Sequence, residues 1–335
     1  MKSQSLILIG CTLAALATAR AQVPGAVQQV DSDQRRRQAE QSAQTAYRAG
    51  DSVTESYPGE SNDTGEQTVM QFKARPTYLE ASADIQYLRT DNMFLSEHDT
   101  QKADELISTV QVALAPTPYA VAGGSFAPRV GFREQWYDFG LGGAKLDGTD
   151  SKLSSYDFNG QTAFLDLSWS RAQWTFAVGF DFIRLLSTQN YNEFYRESVP
   201  HWSLQRVFPL PHNASIALGY EGDYRVSDLR SDVLTVNSDY NDRTDHGGFL
   251  NYTQPLGKHA VLQPFYHFKY THFTTSSADR DDYLNSLGVA LYWFFTPQIS
   301  ARVFVDYDLR HSSQTIVSDY SRLDTGLGMN LTFRF

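Results

Sequence analysis

From about Thr77 to its end the chain alternates between apolar and polar side chains. No stretch after residue 21 approaches the run of about 18 apolar residues that a membrane helix needs. In the last segment Leu323, Thr325, Leu327, Met329, Leu331, Phe333 and Phe335 fall on one side of an extended strand. Arg322, Asp324, Gly326, Gly328, Asn330, Thr332 and Arg334 fall on the other. The same split recurs upstream. Ile299, Ala301, Val303, Val305, Tyr307 and Leu309 oppose Ser300, Arg302, Asp306, Asp308 and Arg310, and Trp174, Phe176, Val178, Phe180 and Phe182 oppose Thr175, Ala177, Gly179 and Asp181. If lipid wets the oily flank, every backbone N–H and C=O must pair within the protein, and among sheets only a closed barrel achieves that.

Strands are predicted near 78–89, 105–115, 126–138, 156–170, 173–186, 194–208, 213–226, 244–255, 260–273, 283–295, 299–310 and 321–335. Their connections alternate as well. One set is short and often carries proline: Pro116-Thr117-Pro118, Arg171-Ala172-Gln173, Pro209 to Asn213, Pro255 to His259 and Thr296-Pro297-Gln298. The other set is mostly longer and rich in Asp, Ser and Asn: Thr90 to Asp104, Gly140 to Ser155, Ser187 to Glu193, Ser227 to Arg243, Thr274 to Asp282 and His311 to Tyr320. Transmembrane barrels have short turns on the periplasmic side and longer loops outside. The expected fold is therefore all-β: a transmembrane antiparallel up-and-down barrel of about twelve strands, with ten to fourteen allowed by the uncertainty of strand boundaries. A soluble β-sandwich accounts for the alternation, but not for the turn asymmetry or the terminal phenylalanine. A lipocalin-like barrel would place its apolar face inside.

The amino-terminal part reads differently. Met1-Lys2, the apolar stretch Leu6 to Ala17 and the small residues Ala19 and Ala21 around Arg20 have the form of a signal peptide ending at residue 21. A lipobox-like Leu8-Ile9-Gly10-Cys11 is the lesser reading. Cys11 is the sole cysteine, so a processed chain holds no disulfide and no thiol ligand. Loss of Lys2 and Arg20 moves the formal charge from -10 to -12, which argues against a nucleic-acid partner. Residues 22–76 are polar and are expected to form a disordered or short-helical periplasmic arm, with a basic helix over Ser32 to Arg48. A plug folded back into the lumen is the alternative. The barrel is expected over 77–335.

Arg89-Thr90-Asp91-Asn92-Met93-Phe94-Leu95, Arg280-Asp281-Asp282-Tyr283 and the closing Gly326-x-Gly328…Phe335 carry a resemblance. Through them Thr77 to Phe335 resembles a β-barrel porin family of Gram-negative outer-membrane proteins. The resemblance implies an integral outer-membrane barrel, inserted by the assembly machinery that reads the terminal aromatic strand (Phe333, Phe335). It supplies no catalytic residues.

By alternation, Asp84, Arg129, Arg133, Asp166, Asp181, Glu221, Asp223, Arg225, Asp245, Lys269, Arg302, Asp306, Asp308, Arg310, Arg322, Asp324 and Arg334 should line the lumen. Gly179, Gly219, Gly326 and Gly328 are expected to leave space there. A barrel of this size lies between filled eight-stranded and open sixteen-stranded examples. The favoured reading is a porin-like channel for passive diffusion of small polar solutes. The alternative is a non-conducting structural or surface-binding barrel. A lipid hydrolase using His201 and Ser203, with Asn213 downstream, is the remote third, because both side chains should point inward rather than at the bilayer. No enzyme activity, cofactor or metal site is expected. The acidic groups Asp239, Asp242, Asp245 and Asp279, Asp281, Asp282 lack calcium-loop spacing, and the remaining histidines are scattered. The expected partners are outer-membrane lipid, lipopolysaccharide, the assembly machinery and a small solute.

Overall fold

A computed structural model describes residues 25–47, 77–229, 240–275, 280–314 and 319–335. Cys11, Ala19, Ala21, residues 48–76, Asp239 and Asp279 lie outside the described residues. The strands are β1 Leu79–Thr90, β2 Ala103–Leu114, β3 Tyr119–Val121, β4 Gly124–Phe139, β5 Phe158–Arg171, β6 Trp174–Ser187, β7 Glu193–Pro209, β8 Ser215–Leu229, β9 Arg243–Leu256, β10 Ala260–Phe273, β11 Arg280–Phe294, β12 Ile299–Ser312 and β13 Tyr320–Arg334. Residues 25–47 form one helix, α1. No described helix is long and apolar enough to cross a membrane.

Every neighbour is antiparallel, and the sheet closes into a ring. β13 pairs with β1 (Asp84 opposite Asn330), and β2 pairs with β4 (Leu114 opposite Val130). Twelve long strands make the barrel, and the three-residue β3 extends the β2 position along β4. This strand corrects an expectation. The chain does not reverse at Pro116-Thr117-Pro118. Those prolines lack N–H donors, so the ladder lapses there. It resumes in β3 and reverses at Ala122-Gly123, where both residues hold positive φ (52° and 72°), as a two-residue hairpin turn of the right twist requires. Pro255 is likewise inside β9, opposite Val261, and the reversal falls at Gly257.

The two faces separate as the alternation requires. Ile85, Val110, Phe132, Leu165, Phe180, Leu218, Leu287, Val303 and Leu327 point outward and are exposed. The inward partners are buried, and the largest of them are Arg322, Tyr137, Tyr195, Tyr292, Phe158 and Phe294. Inside the barrel the packing is part aromatic, part ionic. Tyr137 stacks on Phe158 with ring centres 4.3 Å apart, and Tyr47 of α1 stacks on Phe294 at 4.4 Å.

Helix α1 takes the position of the alternative, a plug folded back into the lumen. Residues 25–47 are not an arm beside the barrel but a helix within its bore. Their composition, with Ala, Gln, Arg and Glu and neither Pro nor Gly after Gly25, suits a helix. A 23-residue helix is roughly 34 Å long at 1.5 Å per residue, close to the hydrocarbon thickness of about 30 Å.

Candidate functional site

Helix α1 presents two unlike faces. Gln29, Asp33, Arg36, Glu40, Ala43 and Tyr47 recur at steps of three and four and are buried, so they form one face. That face lies against the β1, β4, β11, β12 and β13 wall through named contacts. Gln86 and Gln135 donate to the Asp33 carboxylate at 2.8 and 2.7 Å, and Arg37 pairs with Asp33 along the helix. Arg36 donates to Asp306 at 2.9 Å and to Asp324 at 2.8 Å, with its guanidinium over the Phe304 ring. Ser300 and Arg302 donate to Glu40 at 2.9 and 2.7 Å. At the other flank Asp31 accepts from Arg225 at 2.9 Å and Lys269 at 3.2 Å. The helix balances three carboxylates (Asp31, Asp33, Glu40) against three guanidiniums (Arg35, Arg36, Arg37); the wall supplies a counter-charge for Asp31, Arg35, Arg36 and Glu40, while Asp33 and Arg37 pair with each other.

The direction of α1 in the bore follows from its ends. Gly25, Ala26 and Gln29 pack among Met93, Phe94, Phe139 and Tyr156 at the long-loop end. Gln44 donates to the Pro297 carbonyl at 3.2 Å and Tyr47 meets Phe294, both at the short-turn end. Residues 25–33 are buried apart from half-buried Gln28, whereas Gln38, Gln41, Ser42 and Thr45 are exposed within the bore. The lumen is thus closed at the long-loop end and widens towards the short turns. Between the exposed stripe of α1 and the wall from β4 to β10 lies a cavity of about 480 Å³.

All the residues expected in the lumen stand on the inward face, and most are paired. Asp84 accepts two bonds from Arg302, at 2.7 and 2.9 Å. Asp308 accepts from Arg322 at 2.7 Å. Arg129 and Arg334 converge on Glu80, at 2.6 and 2.9 Å, and Arg133 donates to Gln111 at 3.0 Å. Arg225 joins Asp31, Glu197 and Asp223, each at 2.9 Å, with Asp245 at 3.3 Å. Asp245 is also bonded by Thr271. Glu221 meets His267 at 2.6 Å, and Arg310 lies 3.9 Å from Asp282. Asp181 faces Gln34 of α1 at 3.4 Å, and Asp166 faces His201 at 3.3 Å.

The luminal glycines do not leave open space as expected. A Cβ on Gly219 would meet Phe249, on Gly326 Phe304, on Gly328 Arg302 and on Gly179 His201. Each glycine seats a large neighbour from the adjacent strand. At the chain end, Phe335 closes the ring by accepting from the Tyr78 N–H at 2.7 Å, and its ring sits 6.1 Å from that of Phe333 on the outer face. His201 and Ser203 both face the cavity, with His201 turned to Asp166, while Asn213 stands in the turn before β8.

Several interior ionic groups escaped the sequence reading. Glu80 and Glu197 share faces with Asp84 and His201, so alternation alone could have found them. Arg243, Arg280 and Asp282 lay in expected loops, and the six charges of α1 lay in an expected arm. Nothing in a local pattern reports that a helix and a wall distant in sequence carry matching charges.

No family model matches the chain, and no curated protein matches it. Among solved structures it is similar to an outer-membrane channel from Pseudomonas putida F1, at 12% identity and TM-score 0.53, covering 80% of this chain and 100% of that one. It also aligns with the beta domain of the Bordetella autotransporter BrkA (14% identity, TM-score 0.44, 76% and 100% covered). A third alignment is with the NanC porin (11%, 0.43, 74% and 98%). The fold is a closed twelve-stranded antiparallel β-barrel of the kind seen in the Pseudomonas putida channel.

Proposed function

We propose that the protein is an integral outer-membrane channel for passive diffusion of small polar solutes, whose bore is occluded in this state by α1. The cavity of about 480 Å³ beside the helix carries this reading. A barrel built only for rigidity would fill that volume, as smaller barrels fill theirs with side chains. Here a polar stripe of α1 and a charged wall face one another across it.

The way the helix is held supports the same reading. Its contacts with β1, β4, β12 and β13 are mainly ion pairs and amide hydrogen bonds, so a shift of the helix along these strands would chiefly rehydrate polar and charged groups. With the short turns on the periplasmic side, the wide end of the cavity opens to the periplasm and the constriction lies outward. Lipopolysaccharide and outer-membrane lipid would then meet the aromatic outer face.

A non-conducting barrel is the second reading, favoured by the full burial of most of residues 25–33 at the long-loop end. Planar-bilayer recording separates the two. The intact chain should conduct sparsely, and a chain lacking residues 25–47 should show steady ohmic conductance several times larger. If that deletion variant, folded by the heat-modifiable gel shift of barrels, conducts no more than the intact chain, the channel reading fails.

A further inference from the structure

Three neighbouring strands bring Asp166 (β5), Asp181 (β6) and His201 (β7) together on the wall of the cavity. One potential ligand atom from each lies within 4.8 Å of the other two. Residues 15 and 20 positions apart show no ligand spacing in sequence, but the register explains the convergence. Asp166 stands opposite Gly179 on β6, and Gly179 stands opposite His201 on β7. Because position 179 has no side chain, the imidazole and the carboxylate lean over it from both sides. A Cβ there would meet His201 Nε2 and would lie 2.8 Å from Asp166 Oδ1. Asp181, two residues along β6, closes the group from below and is 4% exposed.

We infer that Asp166, Asp181 and His201 form a binding site for a divalent first-row transition cation of the zinc type, opening on the luminal cavity. One imidazole nitrogen with two carboxylate oxygens is a donor set such cations accept, at about 2.0–2.2 Å from each ligand. Drawing the three atoms onto one ion needs rotamer adjustments of about an ångström, and the cavity side leaves room for water or a solute as the remaining ligand. The charges suit a dication. Two carboxylates stand beside one imidazole, Arg129 is bonded to Glu80 at 2.6 Å and reaches Asp166 only at 3.9 Å, and Asp223, opposite His201 on β8, is engaged by Arg225. Gln34 of α1 donates to Asp181 at 3.4 Å, so an ion there would contact the wall at a point the helix also touches. The inference goes beyond the channel reading and does not need conduction.

The test is calorimetric titration of Zn²⁺ into the full processed chain folded in detergent. One high-affinity site is expected, weakened at least tenfold by His201→Ala and by Asp166→Asn. Ser203→Ala, on the same face, should bind as the parent does. The heat-modifiable gel shift verifies that each variant is folded. Absence of zinc binding by the folded parent chain would overturn the inference, and so would unchanged affinity in folded His201→Ala and Asp166→Asn.

Discussion

Single residues reveal the two faces most sharply. Leu327 is 54% exposed on the outer side between Tyr87 and Val303, while Asn330, three positions on, points inward opposite Asp84 and Ser300. Leu327→Arg should impair insertion, since charge near mid-membrane on the lipid side of a barrel costs about 2–4 kcal/mol. Asn330→Arg should be tolerated far better, as membrane fractionation of the two variants will show. Inside, burial ranks the ion pairs. Arg302 is almost fully enclosed between Glu40 and Asp84, whereas a fifth of Arg129 is open to the bore beside Glu80. Arg302→Ala leaves two carboxylates without their cation and should cost about 3–5 kcal/mol in unfolding experiments. Arg129→Ala should cost much less. Asp157, in the loop before β5, carries a pH dependence. Burial pushes its carboxyl up from 3.8 to about 6, with help from the charge of Asp138 and against the bond it accepts from the Phe139 N–H. The folded loop therefore binds the proton more tightly than the open loop, and its stability falls as pH rises from about 4 through about 6. Protease protection of residues 140–157 should decline across that window in the parent chain and stay level in Asp157→Asn. Alternation alone located most of these luminal residues, because a strand's period of two is a local property. Their partners were not legible, since an ion pair such as Arg36 with Asp324 joins positions 288 residues apart.

At the scale of elements, the strands were readable, and the helix was readable as a helix over Ser32 to Arg48 but not in its full extent or its seat in the bore. Each of the twelve long strands lies where the chain was read as alternating, and the largest end shifts, about three residues, fall beside long loops at Leu229 of β8 and Arg280 of β11. Helix α1 has no broad apolar stripe to announce it. Its seated face is Gln, Asp, Arg, Glu, Ala and Tyr, which in water reads as a solvated surface and becomes a core only when a charged wall surrounds it. This predicts a sharp contrast along the helix. A single cysteine at Gln41, on the cavity stripe, should react readily with a small water-soluble maleimide, and one at Val30, which is 4% exposed, should react far more slowly. Equal rates at the two positions would mean that α1 does not occupy the bore as described. Tyr47→Ala, by removing the stack on Phe294, should raise the rate at Gln41 little and the open probability of the barrel more, measured in the same bilayer experiment that compares the deletion variant.

For the whole molecule, the inverted arrangement is the main point: aliphatic and aromatic groups outside, ion pairs and a polar helix inside. Such a particle would aggregate in water through its outer face and is stable only where hydrocarbon covers it. The chain contains five tryptophans, Trp136, Trp169, Trp174, Trp202 and Trp293, and the register places every one of them on the outer face. Tryptophan emission of the chain folded into vesicles of brominated phospholipid tests this arrangement directly. Strong quenching relative to unbrominated vesicles, with little added by aqueous iodide, is the predicted result. Emission indifferent to bromine and readily quenched by iodide would contradict it.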